Sequence, residues 1–191
     1  CWPNLDIDHL ASTPYTASML SSRDDAYSLL TSLGAPRRLL LHLKLVGEAA
    51  DQLMAAYEDM SIPFERQTIT LGVAVHDAGK ILFPQELDAA GSNHERAGEK
   101  LLLSNGVQPA IARCCVSHAE WQAADVSFEE LSVALADKLW KGKRVPELEL
   151  RVIDTAAGRL GADRWDVFSR LDAAFEVIAD GGPDRLARSQ V

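Results

Sequence analysis

The chain has 191 residues, 47% of them hydrophobic, enough to bury one substantial core and most simply read as a single domain. Its formal net charge of −9 argues against a long nucleic acid as partner, because phosphate backbones are held by basic patches; a small phosphorylated ligand needs only local positive charge. No apolar run is long enough to span a bilayer, and the opening CWPNLDIDHL lacks a basic stretch followed by an apolar one, so neither membrane anchor nor secretory signal is expected. Cys1 fits either the lipid-modified start of a mature lipoprotein or a trimmed chain, and the second is the simpler reading. Three cysteines, two of them adjacent as Cys114-Cys115, show no disulfide-like spacing and point to a reducing compartment, hence the cytoplasm. Cys114 and Cys115 lie among apolar residues and read as core thiols.

Apolar residues recur at helical steps almost throughout, which predicts an all-α fold, a compact bundle of about seven to nine helices. A first helix spans 22–33 and ends near Gly34. Pro36, suited to a helix start, opens a long helix to about Met60, with Leu39, Val46, Ala50, Leu53 and Tyr57 on its apolar steps and His42 facing inward. Ser61-Ile62-Pro63 breaks the chain. Residues 65–78 form a short, apolar, central helix with His76 and Asp77 in its last turn and Gly79 as its left-handed stop. Residues 83–92 form a loop. Ser92 and Glu95 fit a capping box that starts a helix to about Ser104, with His94 in its first turn. Pro109 opens the next helix, and His118 falls near its end. Ser127 and Glu130 form another capping box, starting the helix FEELSVALADKLWKG, which carries Asp137 in its middle and ends at Gly142. Two packing helices follow, about 147–160 and 164–179, and the polar tail after Gly181-Gly182-Pro183 is expected to fray. The expected division is an N-terminal extension packed on the core (1–35), a metal-binding core (36–145) and C-terminal helices of the same domain (146–191).

Four of the five histidines fall into one ordered set with two aspartates: His42, His76-Asp77, His94, His118 and Asp137, at successive spacings of 34, 17, 24 and 19 residues. Each element lies on its own helix or helix end. A lone inward histidine is more often a core residue with its nitrogens satisfied locally; here His42 is not alone. Asp77 ends an apolar helix, against the negative end of its dipole, and Asp137 sits on an apolar face. Both placements are costly unless a cation compensates. Imidazoles with carboxylates suit iron, manganese or zinc, whereas calcium wants oxygen, and six ligands with one aspartate able to bridge is a count for two ions.

These residues resemble the HD superfamily of metal-dependent phosphohydrolases, over roughly 36–145. His42, His76-Asp77 and Asp137 match its basic H…HD…D set, and His94 and His118 match the two further histidines of its dinuclear branch. ALADKLWKGKR (134–144) looks like a segment of the YqeK-type symmetrical diadenosine tetraphosphate hydrolases, and Arg38, one turn before His42, matches a basic residue often seen there. After His118 the chain reads AEW, without the HHE-GYP signature of cyclic-di-GMP phosphodiesterases.

The resemblance implies two divalent transition-metal ions, iron or manganese. His42, His76, Asp77 and Asp137 would hold one, and Asp77 would bridge to a second held by His94 and His118. It implies hydrolysis of a phosphoester or phosphoanhydride in a small nucleotide-type substrate by metal-activated water, with Asp77 and Lys80 catalytic. Lys80 follows the ligand pair by three residues. Against an acidic background Lys138, Lys141, Lys143 and Arg144 cluster after Asp137. Lys141 and Lys143 read as a cationic helix end. Arg38, Lys80, Lys138 and Arg144 are the expected phosphate contacts, a guanidinium gripping two oxygens at once. Of the two indoles near the set, Trp121 is the better candidate for stacking on a base, and Trp140 for the core. Two rival functions fit the same ligands: an HD-fold di-iron oxygenase and a non-enzymatic HD signalling module.

Overall fold

The computed structural model describes residues 19–190, so readings of Cys1 and of most of the 1–35 extension fall outside the described residues. Those described are all helical, with no strand among them. The α-helical segments are α1 (Arg23–Ser32), α2 (Arg37–Asp59), α3 (Arg66–Val75), α4 (His94–Ser104), α5 (Pro109–Ala112), α6 (Cys114–Ser117), α7 (Phe128–Leu139), α8 (Pro146–Leu160), α9 (Arg164–Asp180) and α10 (Gly182–Arg188). Two of them, α5 and α6, are single turns of four residues, which leaves eight longer helices. Among the described residues no helix is long and apolar enough to cross a membrane.

Position in the bundle follows apolar content. In α3 Ile69, Leu71, Val73, Ala74 and Val75 are all buried, and the helix packs against α1, α2, α5, α6 and α7 at once. Nearly every residue of α7 is buried too, so α3 and α7 form the inner pair. The long α2 runs beside them with an apolar cluster on either side: Leu39 and Leu43 in one, Val46, Leu53 and Tyr57 in the other. Each of these large side chains contributes about 1.5–3 kcal/mol by leaving water. A polar link crosses this apolar interface: the Tyr57 hydroxyl donates to Ser132 Oγ at 3.0 Å, which donates in turn to the Phe128 carbonyl.

Local signals set most boundaries. Ser22 caps α1 and Ser127 caps α7 by full capping boxes, with Asp25 and Glu130 reaching back. Gly34 and Gly142 follow their helices at φ +87° and +78°, a region that favours glycine.

Three expectations are corrected by long-range contacts. Gly79 is not a left-handed stop: the chain runs on into a 3-10 turn, Ala78–Ile81. Glycine is required there because α4 crosses it, and a Cβ would stand 1.8 Å from the His94 carbonyl oxygen. The Ser92–Glu95 capping box does not form; Asn93 precedes α4 without a side-chain cap, and Glu86, from the 3-10 turn Pro84–Leu87, accepts from the free N–H groups instead. The tail does not fray before Ser189. It forms α10, anchored by the buried Arg185, whose guanidinium donates to the carbonyls of Trp140, Leu139 and Ile178.

Candidate metal centre

The six residues of the ordered set converge from five elements: His42 from α2, His76-Asp77 from the end of α3, His94 from the first position of α4, His118 just after α6, and Asp137 in the last turn of α7. All are buried apart from His42, whose side chain is 16% exposed.

Asp77 lies at the centre and its two oxygens face different partners. Oδ2 lies 3.0 Å from His42 Nε2 and 3.7 Å from His76 Nε2. Oδ1 lies 3.1 Å from His94 Nε2 and 3.7 Å from His118 Nε2. Asp137 joins only the first group, with Oδ1 3.6 Å from His76 Nε2 and 4.0 Å from His42 Nε2. Donor atoms of His42, His76 and Asp77 all lie within 4.8 Å of one another, and so do those of Asp77, His94 and His118.

Despite these short distances, His42 Nε2, His76 Nε2, His94 Nε2 and Asp77 Oδ1 make no hydrogen bond and are shut off from water. The tautomers give the reason. His76 Nδ1 is 3.0 Å from the Val73 carbonyl and His118 Nδ1 is 3.0 Å from the Cys114 carbonyl. A carbonyl only accepts, so each Nδ1 carries the hydrogen and a neutral ring turns its Nε2 lone pair inward. Burial pushes His118 down to about 4, which keeps that ring neutral. Burial alone would raise Asp77, but the imidazoles of His76, His42 and His94 around it hold it well below the usual carboxylate range. Asp137 is likewise low, burial being outweighed by His76 and the charges of Lys138 and Lys141. Imidazole lone pairs thus face carboxylate lone pairs in a buried space. That arrangement is unfavourable alone and becomes favourable with cations between the groups, so the residues fit a metal site.

Each carboxylate also has a lysine partner, on the oxygen shared with His42 and His76 in Asp77 and on the oxygen turned away from the imidazoles in Asp137. Lys80 Nζ donates to Asp77 Oδ2 at 2.6 Å, and Lys138 Nζ donates to Asp137 Oδ2 at 2.7 Å. The cluster opens through His42 into a pocket of about 180 Å³ whose lining includes Arg38, Lys80, Lys141, Trp140 and Ser189. Arg38 at its edge is paired with Asp88 at 2.5 Å.

Three expected substrate contacts do not line this pocket. Arg144 does not line this pocket: it grips Glu149 through two hydrogen bonds and Asp172 through a third, in a mainly apolar cavity between α8 and α9. Lys138 is taken up by Asp137. Trp121 is packed in the core and offers no open face. Arg38 and Lys80 line the pocket as expected, and two residues expected as a helix end and a core indole join them: Lys141, and Trp140, whose ring stands edge-on to His42 at 4.9 Å between centroids. Their helical phase relative to His42 separates them from their neighbours, and only the packing of α7 on α2 reveals it. Glu86 was not singled out at all. Its Oε2 accepts from His94 Nδ1 at 2.6 Å, and hydrogen bonds from His94 and Asn93 hold its carboxyl down at about 2. Cys114 and Cys115 are buried thiols as expected; burial pushes Cys114 up to about 12 and Cys115 well above its ordinary value.

No protein-family model matches the chain, and no curated protein or solved structure matches it.

Proposed function

We propose that the chain is a cytoplasmic metal-dependent phosphohydrolase, of the HD kind its ligand order resembles, that cleaves a phosphoester or phosphoanhydride in a small nucleotide-type substrate. The observation that carries the reading is a buried set of inward lone pairs opening into a pocket rimmed by Arg38, Lys80 and Lys141, in a chain of net charge −9.

His42, His76, Asp77 and Asp137 would hold one ion, and Asp77, His94 and His118 a second; the split of Asp77 between two groups of imidazoles supports a bridging role. When bound, iron or manganese ions supply Lewis acidity and lower the pKa of water toward neutrality. Arg38 and Lys141 bind and orient the phosphate at the mouth. Lys80 stands at the inner end of the pocket, beside Asp77, where it meets the negative charge that moves onto phosphoryl oxygens during cleavage. Trp140 walls the pocket and limits water around it. The thiols of Cys114 and Cys115 are too buried and too weakly acidic to act as nucleophiles.

The test is a screen of phosphorylated nucleotides with Mn2+- or Fe2+-loaded protein, with and without oxygen, read by phosphate release and product chromatography. Turnover independent of oxygen is expected. Oxygen consumption without phosphate release would replace this reading by the oxygenase one. Inertness of a metal-loaded chain in both assays would favour the signalling module.

A further inference from the structure

Glu86 takes four donors on two oxygens. Oε1 accepts from the Asn93 backbone N–H at 3.3 Å and from its side-chain amide at 2.8 Å. Oε2 accepts from the His94 backbone N–H at 3.2 Å and from His94 Nδ1 at 2.6 Å. The side chain is buried, and the loop is folded round it. Gly91 leaves the carboxyl its place, since a Cβ there would stand 2.4 Å from the Glu86 carboxyl carbon. Only a carboxylate satisfies this arrangement. A carboxamide, whichever way it turned, would set its NH2 against two donors.

The other rings are held differently. His76 and His118 each donate to a neutral backbone carbonyl three or four residues back along the chain. His94 alone among these rings donates to a side-chain carboxylate, brought from eight residues away. A charged acceptor on Nδ1 fixes the ring, fixes the tautomer with its lone pair on Nε2, and makes that nitrogen a stronger donor to a cation. Glu86 reaches no ligand of the Asp137 side directly.

We infer that Glu86 is the positioning residue of the His94–His118 half of the centre and sets the metal affinity of that half independently of the His42–Asp137 half. The inference rests on the two-ion reading above. Its consequence is stepwise loading, in which the His42–Asp137 half fills whatever Glu86 does and the His94–His118 half fills more weakly when Glu86 no longer holds His94.

The experiment is a Mn2+ titration of the whole apo chain, with bound ions counted by calorimetry and by the loss of the free-ion resonance signal. Wild type should take two ions. Glu86→Gln should leave the first affinity within about threefold and weaken the second by about 10- to 100-fold, the usual cost of losing such a partner. Glu86→Asp, which keeps the charge but retreats by one methylene, should fall between the two. In a His94→Ala background, Glu86→Gln should change nothing further, because its effect runs through that ring; a merely structural role would still show. Wild-type binding of both ions by Glu86→Gln and Glu86→Asp, or equal weakening of both steps, overturns the inference while leaving the two-ion reading standing. A wild-type chain that takes fewer than two ions overturns both.

Discussion

The two halves of the centre are built by different means. His42, His76 and Asp137 project from or just beyond α2, α3 and α7, the helices whose buried faces make the core. Moving any of them means moving a helix. His94 arrives through the 3-10 turns and loop after Asp77, held in place by the crossing of α4 over Gly79 and by the single carboxylate of Glu86. Ligand geometry in the first half therefore follows from hydrophobic packing, whereas in the second only His118 is set that way and His94 depends on a few polar and steric contacts. Such loop contacts are where a protein can tune or lose a site without losing its fold.

Asp77 belongs to both halves, so its replacement should have the largest effect. Asp77→Asn keeps the shape but exchanges an anion for a neutral amide between two groups of imidazoles. Both ions should be lost and phosphate release abolished, with helical content by circular dichroism close to wild type. Retention of both metals and of turnover would refute the central place given to this residue.

Gly79→Ala should come next and should break the comparison from one side. A Cβ 1.8 Å from the His94 carbonyl must push α4 away. Overpacking of this kind costs about 1–3 kcal/mol, and the second ion should be lost before the first. Denaturant melts together with metal counting would show it, and an unchanged second site would mean that α4 is not held by this crossing.

The pocket cations should give the intermediate effects. Lys80→Met, Arg38→Ala and Lys141→Ala should leave metal content unchanged and lower kcat/KM on a nucleotide by about 10- to 100-fold each, as expected for losing one charge-assisted hydrogen bond. Lys80→Met should act mainly on kcat and the other two mainly on KM. Arg144→Ala is the contrast: it should leave kinetics alone and lower the melting temperature, because its partners are Glu149 and Asp172. Equal kinetic losses for Arg144 and Lys141 would show that the pocket has been misplaced.

Gly91→Ala should be the mildest. The atom in the way is the end of the Glu86 side chain, so no backbone has to move, but Glu86 must give up part of its hydrogen bonding to Asn93 and His94. The second Mn2+ affinity should fall several-fold with a melting temperature near wild type, sharpening the distinction between a loop-held ligand and a helix-held one.

What was legible in the sequence follows the same division. The all-helical fold and the capping box at Ser127 rest on signals carried by a few neighbouring residues, and the six ligands on side chains of distinctive chemistry in a fixed order along the chain. Ser22 and Asp25 share the spacing of Ser127 and Glu130 and form the same kind of box at the start of α1. The features that differ from expectation depend on what crosses what. Ser92 and Glu95 have capping-box spacing, yet Glu86 reaches the N–H groups first. Gly79 looked like a helix stop, but its lack of a side chain serves the passage of α4. Lys141 and Arg144 are three residues apart, and only the packing of α7 decides that one faces the pocket and the other Glu149. Arg185 turns a polar tail into a docked helix by filling three carbonyls that no local pattern announces.

The central claim is that this buried cluster of lone pairs holds two cations, one on each oxygen of Asp77. A crystal structure of the Mn2+-loaded chain, with anomalous scattering recorded at the manganese edge, tests it most directly. The account predicts two anomalous peaks, one among His42, His76, Asp77 Oδ2 and Asp137, the other among Asp77 Oδ1, His94 and His118. A single peak with His94 and His118 turned away, or none with the imidazoles closed onto the carboxylates by hydrogen bonds, would contradict it.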